Sequence, residues 1–144
     1  MVRVATKEDF PVIRTLIREV HINPTGLDWR HFLVVVTSEN NLLGCGQIKP
    51  HFDGSHELAS IAVQERARCQ GVARAVIQEL LVRDLIRPIY LLCRSQLESF
   101  YVKFGFQTIS PKDMPVYFQR ITRVERIFNS RARPENRLSV MRLS

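Results

Sequence analysis

The run Ile61-Ala62-Val63-Gln64-Glu65-Arg66-Ala67-Arg68-Cys69-Gln70-Gly71-Val72-Ala73-Arg74 constrains the fold more than any other stretch of the chain. An apolar strand ends, a short polar loop turns, and a glycine-containing segment opens a helix over 70–85. Ala73, Val76, Ile77, Leu80, Leu81 and Leu85 share one face of that helix. The buried-looking strand Pro88–Cys93 follows, and strand, helix, strand in that order implies a parallel crossover unit. A helix mouth presents unpaired N–H groups and about half a positive charge, which suits a pyrophosphate. Gly71 lets the backbone come close to such a group, and Ala73 keeps the next turn small. The loop carries neither the Gly-Lys-Ser/Thr of a triphosphate loop nor the three glycines of a dinucleotide fingerprint. Taken alone, the run fits an anion cradle or a plain connection whose glycine serves packing.

The flanking pattern supplies the other elements. Val2–Ala5 reads as a strand, and Thr6 caps a helix in which Val12, Ile13, Leu16, Ile17 and Val20 form the apolar face. His21–Asp28 is a loop, with a short helix expected around Trp29–Phe32. Phe32–Thr37 and Asn41–Lys49 form a hairpin, and Gly44 and Gly46 inside it predict a bulge or a close approach by a ligand or another backbone. A turn at Pro50–Ser55 leads into the strand Glu57–Val63. Beyond the crossover come a helix over 96–104 stopped by Gly105, a strand at Phe106–Ile109 and a helix at Asp113–Asn129. Tyr117, Ile121, Val124 and Phe128 mark the apolar face of that last helix. Arg131–Asn136 reads as a linker and Leu138–Leu143 as a final strand. The expected architecture is α/β: one mixed sheet of six or seven strands with helices on both faces. At 144 residues the expectation is a single domain over the whole chain.

Charge and cysteine use narrow the function classes. The net charge is +7, with 17 arginines to 4 lysines, and seven of the arginines fall between Arg120 and Arg142. That favours an anionic partner or a solvated basic face. The basic stretch lacks interleaved aromatics and any recognition-helix pattern, which argues against nucleic acid. The three cysteines show no paired spacing and sit in or beside apolar segments, so reduced thiols and a cytoplasmic location are expected. Cys45 and Cys93 read as packing residues, and Cys69, beside Arg66 and Arg68, as a labile thiol at most. The four histidines have no ligand spacing, so no metal is expected. No apolar run reaches the length of a membrane span, and Met1–Phe10 lacks the apolar stretch of a secretory signal.

Two local patterns give the chain a resemblance. Arg68-Cys69-Gln70-Gly71-Val72-Ala73 is similar to the Arg/Gln-x-x-Gly-x-Gly/Ala signature of the GNAT superfamily of N-acetyltransferases. Phe100-Tyr101-Val102-Lys103-Phe104-Gly105-Phe106 is similar to its second signature, a tyrosine shortly before Gly-Phe. The expected order of elements resembles the GNAT order across nearly the whole chain. The resemblance implies a GNAT fold and acetyl-coenzyme A as cosubstrate. It implies that the main chain of Ile61, Ala62 and Val63 holds the pantetheine arm. The amides of Arg68, Cys69, Gln70, Gly71, Val72 and Ala73 would then hold the pyrophosphate, with Arg68 and Arg74 adding charge. It further implies parallel strands that splay apart around the acetyl group, and an N–H of the fourth strand polarising the thioester carbonyl.

The resemblance also assigns catalytic roles. Glu57 matches the general base that takes a proton from the amine acceptor, and a strand-end carboxylate facing water is the alternative. His51 and His56 are fallback bases. Tyr101 matches the general acid toward the departing thiolate; the alternative is a core aromatic. Phe100, Phe104 and Phe106 read as core. Many relatives have an asparagine seven residues before the tyrosine to bind the pantetheine arm. Arg94 occupies that position here, so Ser95, which opens the helix, is the expected substitute. The acceptor is a primary amine, chosen by the segment around His21–Phe32 and by residues after Phe106. Oligomeric state stays open: paired or exchanged C-terminal segments, common among relatives, are compatible with a homodimer. A module of the same fold that binds an acyl-coenzyme A without catalysis is the competing functional class.

Overall fold

The computed structural model describes residues 1–129, 131, 133 and 136–144, so positions 132, 134 and 135 of the expected linker lie outside the described residues. Seven strands hydrogen-bond in the order β1-β2-β3-β4-β5-β7-β6 to form a mixed sheet. The chain groups into two compact units, Met1–Lys49 with Leu58–Leu85 and Pro50–Glu57 with Ile86–Ser144.

The first unit begins with β1 (Val2–Val4) and α1 (Phe10–Glu19), then β2 (Phe32–Val36) and β3 (Leu42–Pro50). It ends with the greater part of β4 (His56–Val63) and with α2 (Val72–Arg83). β2 reads Phe-Leu-Val-Val-Val and is buried throughout, as expected of a branched, apolar central strand. It pairs antiparallel with β1, Val2 opposite Val35, and with β3, Val34 opposite Cys45. Strand alternation then gives β3 two different faces. Cys45 packs with Ile13, Leu16 and Ile17 of α1, whereas Gly44 and Gly46 lie under α2 and β4. A Cβ on Gly44 would stand 2.6 Å from Val72 Cγ1 and 2.9 Å from the Ala62 carbonyl oxygen. The glycines thus mark a close approach by neighbouring elements. Val12 is exposed, so the buried face of α1 is narrower than the sequence pattern predicts. Leu85 is also exposed, because α2 ends at Arg83.

The second unit contains β5 (Ile89–Arg94), α3 (Glu98–Val102), β6 (Gln107–Thr108), α4 (Val116–Phe128) and β7 (Leu138–Leu143). β7 pairs antiparallel with both β5 and β6. The first residues of β4 belong here too, with Glu57 in parallel register opposite Tyr90. The structure shifts the phase of the last helix. A turn over Pro111–Asp113 and the extended Pro115 delay its start to Val116, and Phe118 becomes the residue buried against Tyr90 and Val140. Val124 and Phe128 are consequently 53% and 80% exposed instead of forming its buried face. Phe106 is buried, whereas Phe100 and Phe104 are half-buried.

Candidate active site

The loop after β4 arrives at α2 through a short helical turn, Glu65–Ala67, and two left-handed residues, Cys69 (φ +63°) and Gly71 (φ +79°). Gly71 occupies the N-cap position, and a Cβ placed on it would have no heavy atom within 4 Å. The turn is therefore open rather than filled by side chains. No main-chain or side-chain acceptor among the described residues takes the amides of Cys69, Gly71, Val72 or Ala73. Open N–H groups at a helix mouth, beside two left-handed residues, can hold an anion. A left-handed non-glycine residue such as Cys69 costs about 1–3 kcal/mol, the kind of strain that clusters at ligand clamps. Arg68, Arg74 and Cys69 are exposed. A groove of about 630 Å³ passes the loop, lined by Leu16, Glu19, Val20, Gln64–Arg66 and Arg68.

Glu57 does not face water. It is buried, and His51 Nε2 lies 2.7 Å from its Oε1. The turn at Asp53-Gly54 folds the chain back so that these two residues meet. His51 stacks on the Tyr117 ring at 3.5 Å between centroids. Asp53 fixes Tyr117 in place, since its Oδ2 accepts the Tyr117 amide at 2.9 Å. Pro115 brings no side-chain acceptor to the start of α4, and Asp53 serves as the cap from the neighbouring turn. Burial pushes the Asp53 carboxyl up, but the bonds from Ser55 and the Tyr117 amide outweigh it and hold the group below its ordinary value. Sequence reasoning placed Glu57 and named His51 as a fallback. Tyr117 carried no local signal for its place beside them.

Tyr101 lies on α3 with its ring against Phe100 and Phe106. Burial, with a smaller contribution from Cys93, pushes its hydroxyl up to about 12. Burial also raises Tyr117 to about 12, helped by the Glu57 charge. Both phenols stay protonated across the working range. Unfolded tyrosine ionises near pH 10, so the stability tied to these neutral phenols is complete below about pH 10 and is lost as pH rises toward 12. Thermal melts should hold steady up to about pH 10 and then fall, with Tyr101→Phe flattening the decline. A fall that Tyr101→Phe leaves unchanged would contradict the assignment.

The other predicted residues divide. Ser95 opens a short turn (Ser95–Leu97) ahead of α3, and the position before that turn belongs to Arg94, so Ser95 is not the cap of the helix carrying Tyr101. The Ser95 amide donates to the Arg137 carbonyl and the Arg94 guanidinium to that of Asn136. Ile61, Ala62 and Val63 close β4 immediately before the loop. Cys45 and Cys93 are buried, and burial raises their thiols to about 12 and about 11, in keeping with packing roles. His56 starts β4 and is half-buried. Among the described residues, no three His, Cys, Asp or Glu side chains group as a metal site, and no helix is long and apolar enough to cross a membrane.

The profile of the acetyltransferase (GNAT) domain matches residues 28–108, which include β4, the open loop, α2 and Tyr101. The chain belongs to the GNAT family. A search of curated proteins finds none that matches this GNAT chain in sequence. Solved structures do match. N-acetylglutamate synthase from Neisseria gonorrhoeae, complexed with coenzyme A and N-acetyl-glutamate, is 21% identical with a TM-score of 0.77; the match covers 100% of this chain and 35% of that one. The GNAT chain thus spans about a third of the length of that synthase. Rv2747 from Mycobacterium tuberculosis, in complex with CoA, is 22% identical with a TM-score of 0.73 and coverage of 99% and 98%. An acetyltransferase of the GNAT family from Staphylococcus aureus Mu50 is 14% identical with a TM-score of 0.68 and coverage of 100% and 99%. At these identities the likeness is one of fold, here the GNAT acyltransferase fold.

Proposed function

We propose that the chain is a single N-acetyltransferase domain over residues 1–144, moving an acetyl group from acetyl-coenzyme A to a primary amine by direct attack within a ternary complex. The observation that carries this reading is the open turn at the mouth of α2, where the amides of Cys69, Gly71, Val72 and Ala73 have no acceptor among the described residues. Those amides hold the pyrophosphate, Arg68 and Arg74 flank it, and the main chain of Ile61–Val63 holds the pantetheine arm. Bound acetyl-coenzyme A supplies the activated acyl carbon and a thiolate leaving group. A new N–C bond forms as the C–S bond breaks.

An alkylamine is protonated near pH 7, so a base has to take its proton before attack. Glu57 fits that task. Its Oε1 is engaged by His51, while no donor among the described residues reaches Oε2. His51 orients the carboxylate, and Tyr117 supports the imidazole through the stack. Tyr101, protonated throughout the working range, donates its proton to the thiolate. The three unpaired cysteines support a reducing, cytoplasmic location.

Incubation with acetyl-coenzyme A and a panel of primary amines should release free thiol in proportion to acetylated product. Coenzyme A binding without turnover on any amine would favour a non-catalytic acyl-coenzyme A module. A variant of the loop tests the cofactor contact separately. The Cβ of Gly71→Val stands in open space, but the residue must sit at φ +79°, which costs about 1–2 kcal/mol. Its side chain also enters the space over the amides. The expected result is a folded protein whose Kd for coenzyme A rises at least about tenfold by calorimetry. Wild-type affinity in that variant would remove the loop from the binding site.

A further inference from the structure

Four polar or charged side chains are buried among the described residues: Gln47, Lys49, Glu57 and Thr122. Two are accounted for. Glu57 has His51, and the Thr122 hydroxyl donates to the Phe118 carbonyl of its own helix. Gln47 and Lys49 are not. Gln47 is fully buried; its Nε2 donates to Ser60 Oγ at 2.8 Å, while Oε1 has no partner. Lys49 is 9% exposed, and none of the ion pairs among the described residues includes it. The recorded contact of its ammonium is a 3.3 Å bond to the Thr25 carbonyl, on the exposed loop between α1 and β2. Lysine is almost never buried without a counter-charge, and a buried amide oxygen without a donor is equally rare.

The two groups share one face of β3, being two positions apart. Gly26, at φ +67°, lies beside the ammonium, and a Cβ there would come within 3.0 Å of Lys49 Nζ. Gly26 itself brings no side chain to that flank. Ser60, which ties Gln47 to β4, follows Glu57 by three residues on the same strand and is itself left-handed at φ +59°. Left-handed non-glycine residues of this kind cluster at functional sites. One ammonium balances one negative charge, so its missing partner is a carboxylate rather than a phosphate dianion. The Gln47 amide oxygen, on the same face of β3, needs an N–H. A small molecule carrying both is an amino acid.

We propose that Lys49 and Gln47 recognise the acceptor, Lys49 Nζ pairing with its carboxylate and Gln47 Oε1 accepting from an N–H, so that the acceptor is a free amino acid. The proposal rests on the transferase reading and names its substrate class. It is tested by calorimetry of the twenty L-amino acids and their α-carboxamides, with and without coenzyme A. At least one amino acid should bind, and its carboxamide about tenfold more weakly or worse. Lys49→Met should close that gap with coenzyme A affinity unchanged, and Lys49→Arg should keep it open. The wild-type panel decides the matter even if the Met variant folds poorly. Coenzyme A binding with no preference for any carboxylate, or a preference that survives in Lys49→Met, overturns this inference alone. Failure of coenzyme A to bind overturns the transferase reading and the inference with it.

Discussion

Glu57→Gln should lower kcat by about 10²–10⁴-fold, the range expected for loss of a general base. Glutamine keeps an oxygen for the bond from His51 and nearly the same volume, so the buried pocket should survive. It cannot accept a proton. The variant then depends on amine that arrives already neutral, and its rate should climb steadily with pH while the wild-type rate levels off. His51→Gln should cost less, because the carboxylate remains and only its orientation weakens. A steady-state pH profile of the three proteins checks the ordering. Unchanged kcat in Glu57→Gln would remove Glu57 from the chemistry and leave its burial against His51 as a packing feature.

Gly44→Ala should destabilise the fold by about 1–3 kcal/mol, where a glycine-to-alanine change in a strand ordinarily does the reverse. The added methyl would stand 2.6 Å from Val72 Cγ1 and 2.9 Å from the Ala62 carbonyl oxygen. The first could rotate away. The second is main chain, so β4 or β3 has to move. Val72 is also the first residue of α2, so any shift is passed to the mouth of the helix and should weaken coenzyme A binding as well. Gly46→Ala is the internal control. Its shortest contact, also 2.6 Å, is the terminal Ile61 Cδ1, which a rotamer change can clear. Thermal and urea melts should rank wild type above Gly46→Ala and Gly46→Ala above Gly44→Ala. A Gly44→Ala protein as stable as wild type would mean that the close seat of α2 on β3 is wrong.

The elements legible in the sequence were those whose periodicity and punctuation agree. Phe32–Val36 is branched and apolar, and Val72–Arg83 repeats its apolar residues at helical spacing behind a glycine. The open turn at the mouth of α2 could be read because its features are local, in the main chain of consecutive residues. The surroundings of Glu57 could not. His51 lies across a turn and Tyr117 arrives from a helix 60 residues further on, contacts that no short pattern records. Lys49 is a different case. The sequence places Gln47 and Lys49 on a hairpin strand without showing which way they face, and both polar side chains are buried. The phase of α4 was misread because Pro115 and Phe118 override the longer apolar repeat.

On the proposed reading, the main chain from Arg68 to Ala73 grips a diphosphate. Titrating ¹⁵N-labelled protein with coenzyme A and following the amide resonances tests it residue by residue. The amides of Cys69, Gln70, Gly71, Val72 and Ala73 should undergo the largest downfield shifts in the chain and saturate together. Saturable binding that leaves those five resonances where they were would contradict it.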